Sequence, residues 1–292
     1  MKLLGLSVCL TQGHIWGASM QRPGWQTCRR CMMRRPDPWL AQATDEPAAP
    51  VRPAREEGRL RTIVVAARKG GSGKTTLAMH LAIAAHLRGR NAVLADADPQ
   101  RSVSEAMNGR AGDGPRRVEA GPLGLDAVRS EADATGADIL VVDTPGGAGP
   151  ALSQALGVAD LALLVARPTF LDIAAAVRTF AEARSIGVPS LIVLNQAPPA
   201  RAGQEHRAVA KAVEALRHTN LPVSDAIVRT RALFQTSVAS GRSVEELGPS
   251  PAAAEIAAVW AAVEARLAEP QLEELHLPPE ARIRPAFAAS AS

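Results

Sequence analysis

Short apolar runs alternate with amphipathic segments along most of the chain. We predict strands over residues 62–67, 91–98, 137–145, 159–168 and 190–196, a short strand over 116–120 and a weaker strand region over 221–230. Helices are predicted over residues 77–88, 100–107, 125–134, 171–185, 204–218, 231–239 and 252–267. Strands that are apolar throughout and alternate with helices indicate an α/β fold, with a mostly parallel, twisted sheet covered by helices on both faces.

Both ends of the chain lack this pattern. Residues 1–60 have no sustained helical or strand period and are rich in Arg, Pro, Gln and Trp, so we predict a disordered basic arm there and one globular domain over 61–268. Residues 269–292 are rich in Pro and Ala and are predicted to form a flexible tail. The first ten residues match a secretory signal only weakly, and Met20, Met32 and Met33 leave a mis-assigned start open as a second interpretation.

The net charge of the chain is unevenly distributed. The first 60 residues hold nine basic and five acidic side chains, whereas the remaining residues hold 24 of each, so the whole net charge of +4 belongs to the arm. The sequence pI near 9.4 therefore does not indicate a uniformly basic protein that coats nucleic acid.

The three cysteines, Cys9, Cys28 and Cys31, all lie in the arm. The globular part therefore has neither disulfides nor thiolate metal ligands, which suits a reducing compartment. Cys28 and Cys31 have the spacing of zinc ligands, but a structural zinc site needs four ligands and no second pair follows. Since no run of about 18 apolar residues occurs, we expect no membrane-spanning helix.

A glycine-rich segment follows the first predicted strand. It reads Lys69-Gly70-Gly71-Ser72-Gly73-Lys74-Thr75-Thr76, with Arg68 in the place of the first glycine of the usual G-x-x-x-x-G-K-[ST] loop. Glycines let backbone N–H groups turn inward onto phosphate oxygens, and the helix that follows directs its N-terminus at the same anion. We expect residues 70–76 to bind the phosphates of ATP, with Lys74 at the β- and γ-phosphates and Thr75 at Mg²⁺.

Together with two further motifs, this segment resembles the ParA/MinD family of deviant-Walker ATPases. The second predicted strand ends in Asp96-Ala97-Asp98-Pro99-Gln100, which is similar to the family's Walker A′ motif, and the apolar run before Asp143-Thr144-Pro145 is similar to its Walker B motif. The resemblance extends from Thr62 to Leu267. It implies a P-loop NTPase fold and a weak, Mg²⁺-dependent ATPase that forms a homodimer in the ATP state.

The resemblance also implies roles for individual residues. Asp98 would position the attacking water, Asp96 would support the Mg²⁺ shell and Asp143 would hold a magnesium-bound water. Lys69 would reach across the dimer interface onto the partner's nucleotide and supply positive charge as an arginine finger does. Only four of the 33 basic residues are lysines, so the two lysines retained in this loop favour a function for both.

Two more sets of residues are implied with an alternative beside each. Pro168 and Asn195 would frame the adenine ring, although Asn195 could equally end its strand as a turn former. Residues 226–247 resemble the late part of the family pattern, which implies DNA contact by Arg231, with Arg229 as second choice. An ion pair on the protein surface is an equally good interpretation of both arginines.

The resemblance leaves the cargo of the ATPase open. In the partition interpretation, a cytoplasmic, nucleoid-associated ATP-state dimer binds DNA non-specifically, and a centromere-binding, ParB-like activator stimulates hydrolysis. A VirC1-like role in DNA transfer, the positioning of another cargo, or the role of a MinD-like regulator is the alternative. A stable MinD-like membrane anchor is not expected, because prolines at 278, 279 and 285 disfavour a C-terminal amphipathic helix. An iron–sulfur carrier is not expected either, because no cysteine follows the Walker motifs.

Overall fold

The computed structural model describes residues 60–121, 124–217, 219 and 221–269, together with the backbone of three short strands before them. These strands are β1 (Trp16–Ala18), β2 (Trp25–Cys28) and β3 (Arg34–Pro36), and they form an antiparallel sheet in that order. The sequence analysis did not predict them, because a strand of three or four residues is too short for an alternating pattern to register. Cys31, the rest of the predicted arm and the predicted tail beyond Glu269 lie outside the described residues.

The main sheet has seven strands. They are β4 (Arg61–Ala66), β5 (Ala92–Asp96), β6 (Arg116–Glu119), β7 (Ile139–Asp143), β8 (Leu161–Ala166), β9 (Ser190–Ala197) and β10 (Val223–Arg229). Their order across the sheet is β10-β9-β8-β4-β7-β5-β6, and every neighbouring pair is parallel. The predicted parallel α/β sheet is therefore confirmed.

Helices connect the strands in the way a parallel sheet requires. They are α1 (Lys74–Leu87), α2 (Ser102–Asn108), α3 (Gly124–Ala134), α4 (Pro150–Val158), α5 (Phe170–Ser185), α6 (Arg207–Arg217), α7 (Ala232–Ala239) and α8 (Pro251–Ala268), with a short 3₁₀ helix at Val244–Leu247 between the last two. No helix in the described part of the chain is both long and apolar enough to cross a membrane.

Alternate strand residues build two separate cores, one on each face of the sheet. Ile63 and Val65 of β4 pack into a core with apolar residues of α1 and α8, where Trp260 is fully buried. Val64 and Ala66 pack into the opposite core with residues of α3 to α6. Helices thus cover both faces, which is why the inner strands β5, β7 and β8 are buried along their whole length.

Two elements depart from the predicted boundaries in ways that matter for the site. No helix was predicted between the strands at 137–145 and 159–168, but α4 forms there, with Pro150 at a position that favours helix starts. Helix α1 begins at Lys74 rather than Leu77, so the lysine and both threonines of the glycine-rich loop form its first turn.

Strand register places the three motifs at one edge of the sheet. Val65 of β4 and Asp96 of β5 both pair with Asp143 of β7. The loops that follow these three strands therefore leave the sheet side by side at its carboxyl edge, where ligands bind in open α/β sheets.

Candidate functional site

The glycine-rich loop between β4 and α1 depends on glycine at two positions. Gly71 and Gly73 have φ angles of 71° and 89°, in the left-handed region that side chains disfavour. At Gly73 space is also closed, because a Cβ atom would lie 2.3 Å from the side-chain nitrogen of Asn195. The loop is therefore held in a shape that only glycine permits.

Three predicted residues meet at the start of α1. The Thr75 hydroxyl donates a hydrogen bond of 2.7 Å to Oδ2 of Asp143, which is fully buried at the end of β7. The Lys74 side chain is 7% exposed. Burial lowers the pKa of Lys74, and the negative charges of Asp143 and Asp98 oppose that effect.

This cluster contains polar atoms that the described residues do not satisfy. Oδ1 of Asp143 and the hydroxyl of Ser72 are buried without a hydrogen-bond partner. Burial also raises the pKa of Asp143 to about 7, against the hydrogen bond from Thr75. A buried carboxylate oxygen without a partner, beside a threonine hydroxyl, fits the outer shell of Mg²⁺, whose positive charge would favour the ionised carboxylate.

The two aspartates of the motif after β5 differ in how they are held. Asp96 is buried, and its Oδ2 accepts hydrogen bonds of 2.9 Å from both the backbone N–H and the hydroxyl of Ser104 in α2. Its Oδ1 accepts from the backbone of Asp98 at 3.1 Å. The Asp98 carboxylate accepts only a local bond, from the backbone of Gln100 at 2.9 Å, and acts electrostatically on Lys74. Asp96 therefore fixes the loop and the helix after it, while the charge of Asp98 favours the protonated form of Lys74.

The positive charge of Lys69 acts on Asp172, in the first turn of α5. Burial acts to raise the pKa of Asp172 there, but hydrogen bonds from Arg167 and Thr169 and the charges of Arg167 and Lys69 outweigh it, so the pKa is lowered. Arg167 Nε lies 2.9 Å from Asp172, and Thr169 caps the helix by accepting from the Asp172 backbone. The loop after β8, which includes the buried Pro168, is thus fixed close to the glycine-rich loop.

Asn195 contacts the loop directly in this structure. Its Nδ2 donates to the carbonyl of Ser72 at 2.8 Å, and Nε2 of the next residue, Gln196, donates to the carbonyl of Gly71 at 3.0 Å. Whether Asn195 also meets an adenine ring remains a prediction. The sequence analysis did not find Gln196 as a site residue.

Two other contacts at this edge were not found from the sequence. Arg68, which replaces the first glycine of the usual loop, donates to Glu182 of α5 at 2.6 Å, and the same carboxylate accepts from Ser153 of α4 at 2.6 Å. Ser104 anchors α2 on Asp96, as described above. A charge or hydroxyl at such positions has no distinguishing spacing, so no pattern in the sequence could have found them.

The arginines predicted to contact DNA lie at the opposite end of the sheet from β6. Arg231, just before α7, is paired with Glu255 of α8 at 2.6 Å, and Arg229, at the end of β10, is paired with Glu205 at 2.7 Å. The backbone N–H of Arg229 also donates to Glu255, at 3.0 Å. Both guanidinium groups therefore have carboxylate partners, and their contact with DNA stays a prediction.

Comparison with known proteins places this geometry in a family. A family model described as the CobQ/CobB/MinD/ParA nucleotide binding domain matches residues 63–244. The Maintenance of carboxysome distribution protein A of Gloeobacter kilaueensis is 33% identical over 195 residues, which cover 63% of this chain and 83% of that protein. Protein ParA of Rhizobium radiobacter is 34% identical over 114 residues, or 38% of this chain and 50% of that protein.

Solved structures share the fold at lower sequence identity. The cell division ATPase MinD of Pyrococcus furiosus superposes with a TM-score of 0.58 and 20% identity, over 70% of this chain and 98% of that one. The ATP complex of an McdA variant from Cyanothece superposes with a TM-score of 0.55 and 16% identity, over 71% of this chain and 98% of that one.

Proposed function

The chain belongs to the CobQ/CobB/MinD/ParA family of nucleotide-binding proteins, and from this premise we propose that it is a Mg²⁺-dependent ATPase that forms a homodimer in the ATP state and partitions a plasmid or chromosome. The general assignment as an ATPase follows from membership of the family. The hydrolysis cycle, the dimer, the DNA and the partner are the parts that we propose.

One observation carries the proposal: the buried cluster of Lys74, Thr75 and Asp143 with its unsatisfied carboxylate oxygen. In the proposed function, Lys74 binds the β- and γ-phosphates, Thr75 ligates Mg²⁺ and Asp143 holds a water of the metal shell. Asp98, whose carboxylate makes only a local hydrogen bond, positions the attacking water.

An exposed apolar pair at the start of α5 supports a dimer across this edge. Phe170 and Leu171, in the first turn of α5, are 63% and 58% exposed, and only Leu87 among the other large apolar side chains of the described residues is comparably exposed, at 48%. Because β8 pairs with β4, the start of α5 leaves the sheet beside the glycine-rich loop. A second copy seated there buries the pair and brings its own Lys69 to the nucleotide.

The proposed DNA contact rests on Arg231 and Arg229. Non-specific binding needs a local set of phosphate contacts that dimerisation doubles, and it weakens with salt. A centromere-binding, ParB-like activator completes the partition cycle by stimulating hydrolysis, and the ATP-state dimer is then nucleoid-associated.

A second candidate is favoured by the relatives. The match to the carboxysome distribution protein covers 83% of that protein, against 50% for ParA. The alternative cargo is therefore a protein assembly, which the ATPase would distribute along the nucleoid. Loss of the gene would cluster a protein assembly in this case, and would cause loss of a replicon in the partition case.

The mass of the full chain in solution tests the dimer. We expect a monomer with ADP, a dimer with Mg²⁺ and ATP, and a longer-lived dimer in the Asp98→Ala variant, because the reaction that ends the ATP state is lost.

Replacing both Phe170 and Leu171 by Ser should weaken the dimer at least about tenfold, since two apolar side chains lose their burial. Leu87→Ser serves as the matched control. A chain that binds ATP yet stays monomeric would contradict the dimer, and one without ATP turnover even with DNA and partner would be an interaction module instead.

A further inference from the structure

The end of strand β9 has an irregular backbone at the point where it meets the glycine-rich loop. Gln196 has a φ angle of 52°, in the left-handed region that a residue with a side chain adopts at a cost. Between Leu194 and Ala197, β9 spans three residues while the paired strand β10 spans two, from Ile227 to Arg229. One extra residue is therefore inserted into β9, which is a β-bulge.

The bulge changes where two consecutive side chains point. In a regular strand, neighbouring side chains lie on opposite faces of the sheet. Here Asn195 and Gln196 both reach the same loop, and their amide nitrogens donate to the consecutive carbonyls of Ser72 and Gly71, at 2.8 and 3.0 Å. Bulges next to active sites re-aim side chains in this way.

Peptide geometry gives these two hydrogen bonds a consequence inside the loop. A trans peptide holds its C=O and N–H groups in opposite directions. Because the carbonyls of Gly71 and Ser72 face β9, the N–H groups of the same two peptides, which belong to Ser72 and Gly73, face away from it. Those are the N–H groups that a phosphate-binding loop turns onto its anion.

We propose that Gln196 is a positioning residue, which together with Asn195 holds the peptides of the glycine-rich loop in the orientation that receives phosphate before any nucleotide binds. Its left-handed backbone is the cost of bringing a second amide to the loop. The inference rests on the proposed function, since it presumes that the loop binds nucleotide.

Nucleotide affinity of Gln196 variants in the full chain tests the inference, with fluorescently labelled ADP and Mg²⁺ as the probe. Gln196→Glu has the same size but no amide donor, so we expect the dissociation constant to rise about tenfold. Gln196→Gly also removes the amide but suits the left-handed backbone, so the affinity should fall while the melting temperature stays at or above that of the wild type. Gln196→Asn keeps an amide and tolerates this backbone, and should recover part of the affinity.

A matched control separates the loss of the amide from relief of backbone strain. Ala202 is exposed and has a φ angle of 50°, so Ala202→Gly makes the same backbone change away from the loop and should leave the affinity unchanged. In steady-state hydrolysis, Gln196→Glu should raise KM and leave kcat nearly unchanged. A wild type that binds nucleotide together with a Gln196→Glu variant of equal affinity overturns the role of Gln196 alone, whereas a wild type that binds none overturns the proposed function with it.

Discussion

Two regions of the molecule were each predicted to bind phosphate, and they are built differently. At the glycine-rich loop, Asp143 and Ser72 keep buried polar atoms without partners, and the backbone is left-handed at Gly71, Gly73 and Gln196. At the β10 end of the sheet, Arg229 and Arg231 are each matched to a carboxylate.

The difference shows how a site with unsatisfied polar groups is distinguished from a surface whose charges are already paired. Buried polar groups are nearly always satisfied, so a pair without partners points to something that binds there. A matched ion pair on the surface carries no such signal, because DNA must displace the carboxylate before it gains the arginine. The loop therefore offers buried polar groups to a ligand, whereas both arginines already have carboxylate partners.

The largest expected effect is at Lys74. Lys74→Ala removes a buried cation that the phosphates require, so we expect nucleotide affinity to fall at least about a hundredfold. Calorimetric titration with Mg²⁺ and ATP measures it. Lys211→Ala, at an exposed lysine of α6, is the control and should bind as the wild type does. Equal affinity in Lys74→Ala would remove the contrast between the two regions.

Lys69 should separate binding from hydrolysis. If it acts on the nucleotide of the second copy, Lys69→Ala should lower the hydrolysis rate about a hundredfold while nucleotide affinity changes little. Rate measurements at saturating ATP, beside the titration used for Lys74, distinguish these effects. A parallel loss of affinity would mean that Lys69 serves its own nucleotide.

Substitutions at the arginine end should change DNA affinity only weakly, and in opposite directions for the two partners of one ion pair. Arg231→Ala should reduce DNA affinity several-fold and lower the slope of affinity against salt by about one. Glu255→Gln keeps the shape but removes the competing charge, so DNA affinity should rise about twofold to threefold. Arg117→Ala, on the edge strand β6 at the other end of the sheet, is the control. A fall in DNA affinity in both variants would show that the ion pair is needed only for structure.

A further effect, on stability rather than on binding, concerns the packing between the two regions. His80 of α1 is buried, lies 2.7 Å from the Thr76 carbonyl and 3.2 Å from the Ser237 hydroxyl of α7, and contacts Phe234 edge-on. Burial lowers the pKa of His80 to about 4. In the unfolded chain it protonates near pH 6.5, so between pH 6.5 and 4 the unfolded state binds more protons and stability falls as the pH falls.

Comparison with a variant that cannot titrate isolates this effect. From pH 7 to pH 4, the wild type should lose up to about 3 kcal/mol of unfolding free energy more than His80→Gln does, as measured by urea denaturation at each pH. Carboxylates that titrate in the same range, Asp143 among them, are present in both proteins and cancel. Parallel pH profiles would show that His80 is protonated in the folded protein.

The sequence predicted the parts of the molecule whose signal is local. Glycines between an apolar strand and a helix mark a phosphate loop, and aspartates after apolar strands lie at the same edge because the sheet is parallel. Gln196 could not be predicted, because its backbone results from a bulge against β10, which is distant in sequence. The carboxylate partners of Arg229 and Arg231 come from residues 205 and 255, and only the fold brings them together.

Helix α4 and the strands before residue 60 escaped prediction for different reasons. No helix was predicted at α4, because the glycines after Asp143 interrupt the helical pattern and only Pro150 marks the first turn. The strands β1 to β3 are too short to show a period.

The central claim is that nucleotide bound at the loop controls DNA binding at the arginine end. DNA affinity of the full chain, measured with ADP and with ATP at a low and a moderate salt concentration, tests it most directly. We expect binding with ATP only, weakened strongly by salt, and absent in Lys74→Ala with either nucleotide. Equal DNA binding with ADP and ATP, or binding retained in Lys74→Ala, would contradict the claim.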